Sequence, residues 1–326
     1  MKLRQLEYLV EVVRQGMSVT AAADNLHTSQ PGISSQIKLL ENELGFPVFI
    51  RQGRHLVDLT DAGRGVLKHA TRMLDERQNI KRIAEEVNAP HHGNFSIATT
   101  HTQARYALPQ VIAHFAAKYP NVSLHIQQGT PTQIAEMTVN GDADLAIATE
   151  ALELFEDLVL MPCYRWNRCI VVRDDHELAQ CETLTVDLIA RYPVITYVFG
   201  IADRSVVNQA FKEAGLEMKV VLTATDAEVI KTYVQSGLGI GIIARMAFDP
   251  ERDRSLVALD AGHLFQPSIT SLAVRRNAWL RGYIYDLIEW FAPHLDRGMV
   301  DTFMSLSDRE EASGLFQDQA MRAEMR

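Results

Sequence analysis

Apolar positions in the first sixty residues recur at helical spacing. Leu6, Leu9, Val12 and Val13 share one face of a segment over residues 4–15, and Gly16 ends it. A second short helix is expected over residues 19–26, with Ser18 as N-cap and Ala21, Ala22 and Leu26 apolar. In a third, Ile33, Ile37, Leu40 and Leu44 make one stripe. Thr28 or Ser29 can cap it, and Pro31 fits a first helical turn. Its opposite face presents Ser29, Gln30, Ser34, Ser35, Gln36 and Lys38.

Two short helices joined by a tight turn make a helix-turn-helix pattern, whose second helix would set its N-terminal residues against base edges. Gln and Ser can bond to bases, and Ser and Lys to phosphates. A small helical bundle with a solvated polar face has the same periodicity. The next stretch, FPVFIRQGRHLVDLT, tips the balance, because its short strand-like runs around Arg51, Gly53 and Arg54 form a basic wing suited to phosphates. Candidate DNA contacts are Thr28, Ser29, Gln30, Pro31, Ser34, Ser35, Lys38, Arg51 and Arg54.

The stretch TSQPGISSQIKLLENELGFPVFIRQGRHLVDLTDAG also resembles the N-terminal signature of the LysR-type transcriptional regulators. Ser29-Gln30-Pro31, Leu40-Glu41, Leu44-Gly45, the Arg51/Arg54 wing and residues 59–63 match that pattern across the first domain. The resemblance implies a winged helix-turn-helix that binds double-stranded promoter DNA.

From Thr60, a good N-cap, the chain can run as one long helix. Val66, Ala70, Met73, Arg77, Ile80, Ala84 and Val87 fall at alternating four- and three-residue steps, a heptad seam with one polar interruption. Charged neighbours narrow the seam, which is the pattern of a helix paired with a second copy rather than packed on its own domain. A dimer would set two recognition helices on successive half-sites. Residues 88–94 read as a hinge, and His91 and His92 as polar linker rather than metal ligands.

Beyond it, strand-like and helix-like segments alternate. Strands are expected over 95–100, 122–127, 143–149, 169–173, 194–198, 220–225, 238–244 and 269–274. Helices are expected over 107–118, 132–140, 204–214, 227–236 and 281–291. This is an α/β arrangement with room for two lobes and a cleft, and ligands in such sheets sit at the carboxyl ends of strands. Three such ends carry polar groups: residues 99–103, residues 148–150 and residues 197–205. At the first, Thr99, Thr100, Thr102 and Gln103 meet the free N–H groups of a helix start. That set can receive an anion without a buried counter-charge. One cap needs one hydroxyl, so the surplus favours a ligand over capping alone.

GLGIGII (237–243) follows a helix and opens a strand, the reverse of a dinucleotide loop, so it reads as a close-packed turn or a domain crossover. No nucleophile–base pair or metal set emerges, and His101 reads as structural. The chain is therefore not expected to be an enzyme. The tail after Leu295 has weak helical periodicity, fitting an extra helix in oligomer packing or partial disorder.

Composition adds one asymmetry. The net charge of −9 argues against nucleic acid, but residues 1–88 hold 12 Lys+Arg against 11 Asp+Glu, leaving the acidity to the rest. Of the 326 residues 47% are hydrophobic, with no run of the ~20 needed to span a bilayer and no signal-peptide core, so a cytoplasmic protein without membrane partners is expected. Cys163, Cys169 and Cys181 read as reduced thiols. The expected divisions are 1–59 (winged helix), 60–88 (dimerisation helix), 89–295 (effector-binding α/β domain) and 296–326 (extension).

The segments IATTHTQARYALP, SLHIQQGTPTQIAE, ADLAIATEALELFEDLV, CYRWNR and TATDAEVIKTYVQSGLGIGIIA are similar to the CysB group of LysR-type regulators, which govern sulfur assimilation and cysteine biosynthesis. The resemblance implies a periplasmic-binding-protein-like effector domain. It implies an inducer, N-acetylserine or O-acetylserine, opposed by sulfate or thiosulfate, and no cofactor. It implies a homodimer or homotetramer that activates its genes with RNA polymerase. It further implies an anion pocket of Thr100, Thr102, Gln103 and Thr149, with Trp166 close by. At the third strand end the group carries Phe-Gly-Phe-Thr-Gly-Arg-Ser, whereas this chain has Ala202 and Asp203, one hydroxyl fewer and one negative charge more. A solute-binding module whose first 88 residues only oligomerise remains the alternative.

Overall fold

Three helices open the chain, α1 (Leu3–Arg14), α2 (Val19–Asn25) and α3 (Gln30–Leu44). The strands β1 (Phe49–Gln52) and β2 (His55–Leu59) follow as an antiparallel wing. The computed structural model describes residues 1–53, 55–198, 206–306 and 308–322. Ser18 Oγ accepts from the Ala21 amide at 3.2 Å, and Ser29 Oγ from the Gly32 amide at 3.2 Å. Both helices therefore begin where a hydroxyl can satisfy an orphan donor. Gly45, at φ +79°, ends α3 in the left-handed conformation. The apolar stripes meet in one core of Leu6, Leu9, Val12, Ile33, Ile37, Leu40, Val48 and Phe49. Each such side chain removed from water contributes about 1.5–3 kcal/mol.

Helix α4 (Asp61–Asn88) starts at Thr60, whose Oγ1 accepts from Gly63 N and donates to Pro47 O, both at 2.9 Å. A Cβ at Gly63 would lie 2.1 Å from Val48 O, so no larger residue fits that approach. Ala70, Val66, Leu67 and Leu74 pack on the core above. Met73, Ile80, Ile83 and Val87 are exposed. The expected seam thus splits, its first half held by its own unit and its second half bare. Arg77, the polar interruption, pairs with Glu7 of α1. The first compact unit comprises Met1–Asn88 with Asn277–Trp279, whose backbone is bonded by the Asn79 side chain.

The second unit comprises Ala89–Arg276 and Leu280–Arg326. Its first sheet has the order β4 (Val122–Gln128), β3 (Gly93–Thr99), β5 (Leu145–Ala148), β12 (Ser268–Arg275), β6 (Leu158–Trp166). The pairs β3–β4 and β3–β5 are parallel, and β12 is antiparallel to both neighbours. The second sheet has the order β11 (Leu256–Asp260), β7 (Arg168–Arg173), β10 (Ile240–Ala244), β8 (Val194–Tyr197), β9 (Val220–Ala224), with α7 (Val186–Ile189), α8 (Val206–Glu213) and α9 (Ala227–Gln235) between its strands in chain order. Asn167 alone joins β6 to β7, and the chain returns between β11 and β12, so the two sheets form two lobes. Alternation along β3 sends Phe95 to an aromatic cluster with Phe115 of α5 (Pro109–Lys118) and Tyr283 of α10 (Gly282–Phe291). Ala98 faces Ile134 and Ala135 of α6 (Pro131–Asn140) on the other side.

Several expectations are corrected. The hinge is shorter than 88–94, because Gly93 and Asn94 already pair with Val122 and Ser123. Strand β6 was not foreseen. Pro162 stands in it at a register shift, between the pairs Thr270–Tyr164 and Ser271–Pro162, where a bulge accommodates a residue with no N–H. The short, half-exposed β11 was also not foreseen. In 237–243 the turn reading holds, since a Cβ at Gly239 would lie 2.3 Å from Pro193 O, and the crossover does not, since β9 before it and β10 after it belong to one sheet. Among the described residues the tail forms the helices α11 (Arg297–Ser305) and α12 (Arg309–Arg322), with Val300, Phe303 and Ala320 buried against the chain's own first lobe.

Candidate functional site: a cleft between two lobes and a winged helix-turn-helix

The carboxyl ends of β3, β4, β5, β8 and β9 converge on one cavity of about 90 Å³. Thr100, Thr102, Gln103, Thr149 and Trp166 all line it. Ala202 lies outside the described residues. Sequence reasoning missed Thr130, Arg168 and Thr225 in the same walls, and it marked the strand ends that hold Glu150 and Tyr197 without naming those two as ligand contacts. Thr130 and Thr225 stand at strand-to-helix junctions like the one it did select, so the same signal could have found them.

The polar cluster at residues 99–103 divides its labour. Thr99 is fully buried and donates to Ile147 O at 3.0 Å, tying β3 to β5. Thr100 Oγ1 accepts from the Gln103 amide at 3.5 Å. The side chain of Gln103 is committed: Nε2 donates to Thr270 Oγ1 at 3.0 Å, and Oε1 accepts from Tyr164. Residues 103–107 wind as a π-helix, and Thr102 caps nothing. It lines the cavity together with Tyr197 of the other lobe.

Thr270 is the hub of this wall. It accepts from Gln103 and, at 3.1 Å, from Trp166 Nε1, which uses both lone pairs of its oxygen. Its proton is left for Thr149 Oγ1 at 3.5 Å, and the Thr149 proton is then free for the cavity. Nothing local in the sequence marks Thr270, which lies 121 residues from Thr149. Thr130 caps α6, accepting from the Gln133 amide, and sets that helix start at the cavity.

The expectation of a wall without charge is overturned. Arg168 is 4% exposed, donates from Nη1 to Ser268 Oγ at 2.6 Å and lies 4.7 Å from the Trp166 ring centre. Burial lowers its pKa, against the pull of Glu150. Burial raises the carboxyl of Glu150, opposed by the charge of Arg168 and reinforced by that of Glu153. The spacing of the sequence could not show that β7 begins by turning a guanidinium inward. His101 stands beside the cluster with its Nδ1 buried and without a hydrogen-bond partner among the described residues. No His/Cys/Asp/Glu group able to hold a metal occurs among the described residues, and none of Cys163, Cys169 and Cys181 is in a disulfide.

In the first unit, Ser29, Gln30, Pro31, Ser35 and Lys38 are exposed along α3, and Thr28 and Ser34 are half-buried. Gln30 Nε2 donates to Ser34 Oγ at 3.2 Å. On the wing, Arg51 is exposed but paired with Glu41 at 2.9 Å. The other oxygen of Glu41 accepts from the amides of Val48 and Phe49. Arg54 lies outside the described residues. No helix among the described residues is long and apolar enough to cross a membrane.

Comparison with known proteins agrees with this geometry. Residues 3–64 match the bacterial regulatory helix-turn-helix protein of the lysR family, and residues 88–296 match the LysR substrate binding domain. The HTH-type transcriptional regulator CysB of Haemophilus influenzae is 49% identical over 317 residues, 97% of this chain and 98% of that protein. The HTH-type transcriptional regulator SsuR of Burkholderia cenocepacia is 50% identical over 300 residues, 92% of this chain and 97% of that protein. The crystal structure of the cofactor-binding domain of the Cbl transcriptional regulator matches 66% of this chain and 95% of its own, at 41% identity and a TM-score of 0.63. An N-terminal winged helix-turn-helix, a long helix and two mixed α/β lobes, with relatives matched along nearly the whole length, make this chain a member of the LysR family of bacterial transcriptional regulators.

Proposed function

We propose that the chain is a cytoplasmic, ligand-responsive activator of sulfate-assimilation and cysteine-biosynthesis genes. It takes an acetylserine as inducer and sulfate or thiosulfate as a competing anion. The observation that carries this reading is the cavity at the strand ends. Its hydroxyls on Thr100, Thr102 and Thr149, its helix start at Thr130 and its guanidinium on Arg168 are a donor set for a small anionic ligand. The similarity to regulators named CysB supports the choice of sulfur metabolism. The cleft is lined from both lobes, so a ligand that contacts both favours the closed state, and closure is the signal sent to bound DNA.

In this reading Ser29, Gln30, Pro31, Ser34, Ser35 and Lys38 face promoter DNA from α3, with Thr28, Arg51 and Arg54 at the backbone. The bare half of the α4 seam meets a second copy. Dimers assemble as tetramers that engage RNA polymerase at activated promoters. Gel-shift titration of the full chain on a sulfate-assimilation promoter, with and without acetylserine, tests the proposal. Tight, salt-sensitive binding altered by the inducer is expected, and binding indifferent to salt and inducer refutes it. Substituting Gln30 and Ser34 by Ala should abolish promoter binding with self-association intact; retained binding would leave α3 without a role in DNA readout.

A further inference from the structure

We propose that Arg168 and Glu150 set the charge selectivity of the cleft: Arg168 holds the anionic group, and Glu150 takes up a proton when that group enters. This rests on the reading of the cleft as a site for a small anion. Two observations carry it. Arg168 is almost wholly buried, yet among the described residues its side chain makes one hydrogen bond, to Ser268, lies against the Trp166 ring and makes no ion pair. A guanidinium has five donors and cannot give up its proton, so a buried one needs an anion beside it. Glu150 lines the same cavity and makes no hydrogen bond or ion pair among the described residues. The only opposite charge acting on it there is that of Arg168.

Glu150 also lines a second chamber, of about 520 Å³, under α12. The charged and titratable groups around it are Arg168 from the start of β7, Tyr197 from the end of β8, Glu153 and Glu156 from the turn after β5, and Arg276 after β12. Arg276 is committed to the carbonyls of Leu306 and Glu156. Glu153 repels a second negative charge, and burial already raises the Glu150 carboxyl. An anion arriving at Arg168 removes the one stabilising charge that Glu150 has. Two negative groups in so small a space cannot both stay ionised, and the carboxyl is the one able to protonate. Once protonated it becomes an O–H donor and joins the hydroxyls in holding the anion. The sign follows: anion affinity is full while Glu150 is protonated and falls as pH rises through its ionisation.

The test is calorimetric titration of the full chain with inorganic sulfate between pH 6 and 8.5, in buffers of different ionisation heat. The wild type should take up a proton with each sulfate, and its Kd should rise by up to about tenfold per pH unit above the Glu150 ionisation. Glu150→Gln should bind without proton uptake and with a flat pH profile. Arg168→Gln should lose at least about tenfold in affinity while keeping its circular dichroism spectrum. Sulfate binding without proton uptake, or an unchanged pH slope in Glu150→Gln, overturns this inference alone. No sulfate binding by the wild type at any pH overturns the anion reading of the cleft as well. Should Glu150→Gln fail to fold, the proton count of the wild type decides by itself.

Discussion

Tyr106 in the first lobe donates its hydroxyl proton to Glu228 Oε1 in the second lobe at 2.5 Å. Tyr106 belongs to the π-helix that begins at the cavity wall of Thr102 and Gln103, and Glu228 lies in the first turn of α9 (Ala227–Gln235), just after the cavity residue Thr225. Arg105 adds a weaker contact to the same oxygen at 3.5 Å. The bond is therefore a latch whose two halves are each within a few residues of the cleft.

Tyr106→Phe removes the latch and leaves the ring in place. A hydrogen bond to a charged acceptor is worth about 1.5–3 kcal/mol when buried, and solvent reaches part of this one. The expected cost is about 1 kcal/mol, a roughly fivefold weaker inducer Kd with the melting temperature little changed. Calorimetry on the full chain checks this; an unchanged Kd would deny the latch a part in closure.

Glu228 links the same contact to pH. Burial pushes its carboxyl up, but hydrogen bonds from Lys231 and Tyr106 and the charges of Lys231 and Arg105 outweigh burial, so its pKa lies below 4.5. A group depressed in the folded state contributes stability above its unfolded value and loses it as pH falls through the folded one. The stability from Glu228 is thus complete above the ordinary carboxylate range and lost as pH falls through the lower, folded-state value. Thermal melts of Glu228→Gln should show a lower melting temperature at neutral pH and a smaller loss on going from pH 6 to 3.5 than wild type. Parallel curves would contradict the assignment.

Glu41 anchors the wing through two backbone amides and Arg51. Glu41→Ala leaves those amides without their acceptor, at about 1–3 kcal/mol. Urea unfolding should report that loss, and gel shifts should show weaker promoter binding. Glu41→Gln keeps an acceptor for the amides and should recover most of the stability.

Ile80 is 67% exposed and Val87 78% exposed on α4, although both fall on an apolar heptad seam. Replacing both by Glu should cost little fold stability, since neither packs within its own unit, and should shift the sedimentation coefficient toward the monomer. An assembly that survives the double change would place self-association elsewhere.

Much of the fold is legible because periodicity is a local property. The stripes Leu6–Leu9–Val12 and Ile33–Ile37–Leu40, the hydroxyl caps Ser18 and Ser29, and the strand-to-helix alternation after Gly93 each follow from neighbours a few residues apart. They specify helix-turn-helix, long helix and α/β lobes without reference to distant residues. The junction at 99–103 marked the cleft for the same reason, since surplus hydroxyls at a helix start are a local anomaly. What no window of sequence contained was the partner of each group. Gln103 is spoken for by Tyr164 and Thr270, 61 and 167 residues away. The charge of the cleft likewise came from Arg168, read along the chain as one basic residue opening an apolar strand. Its inward turn depends on where β6 hands over to β7 and on the Trp166 ring beneath it. Long-range contacts decide which polar groups remain free for a ligand, and these form only when the lobes are assembled.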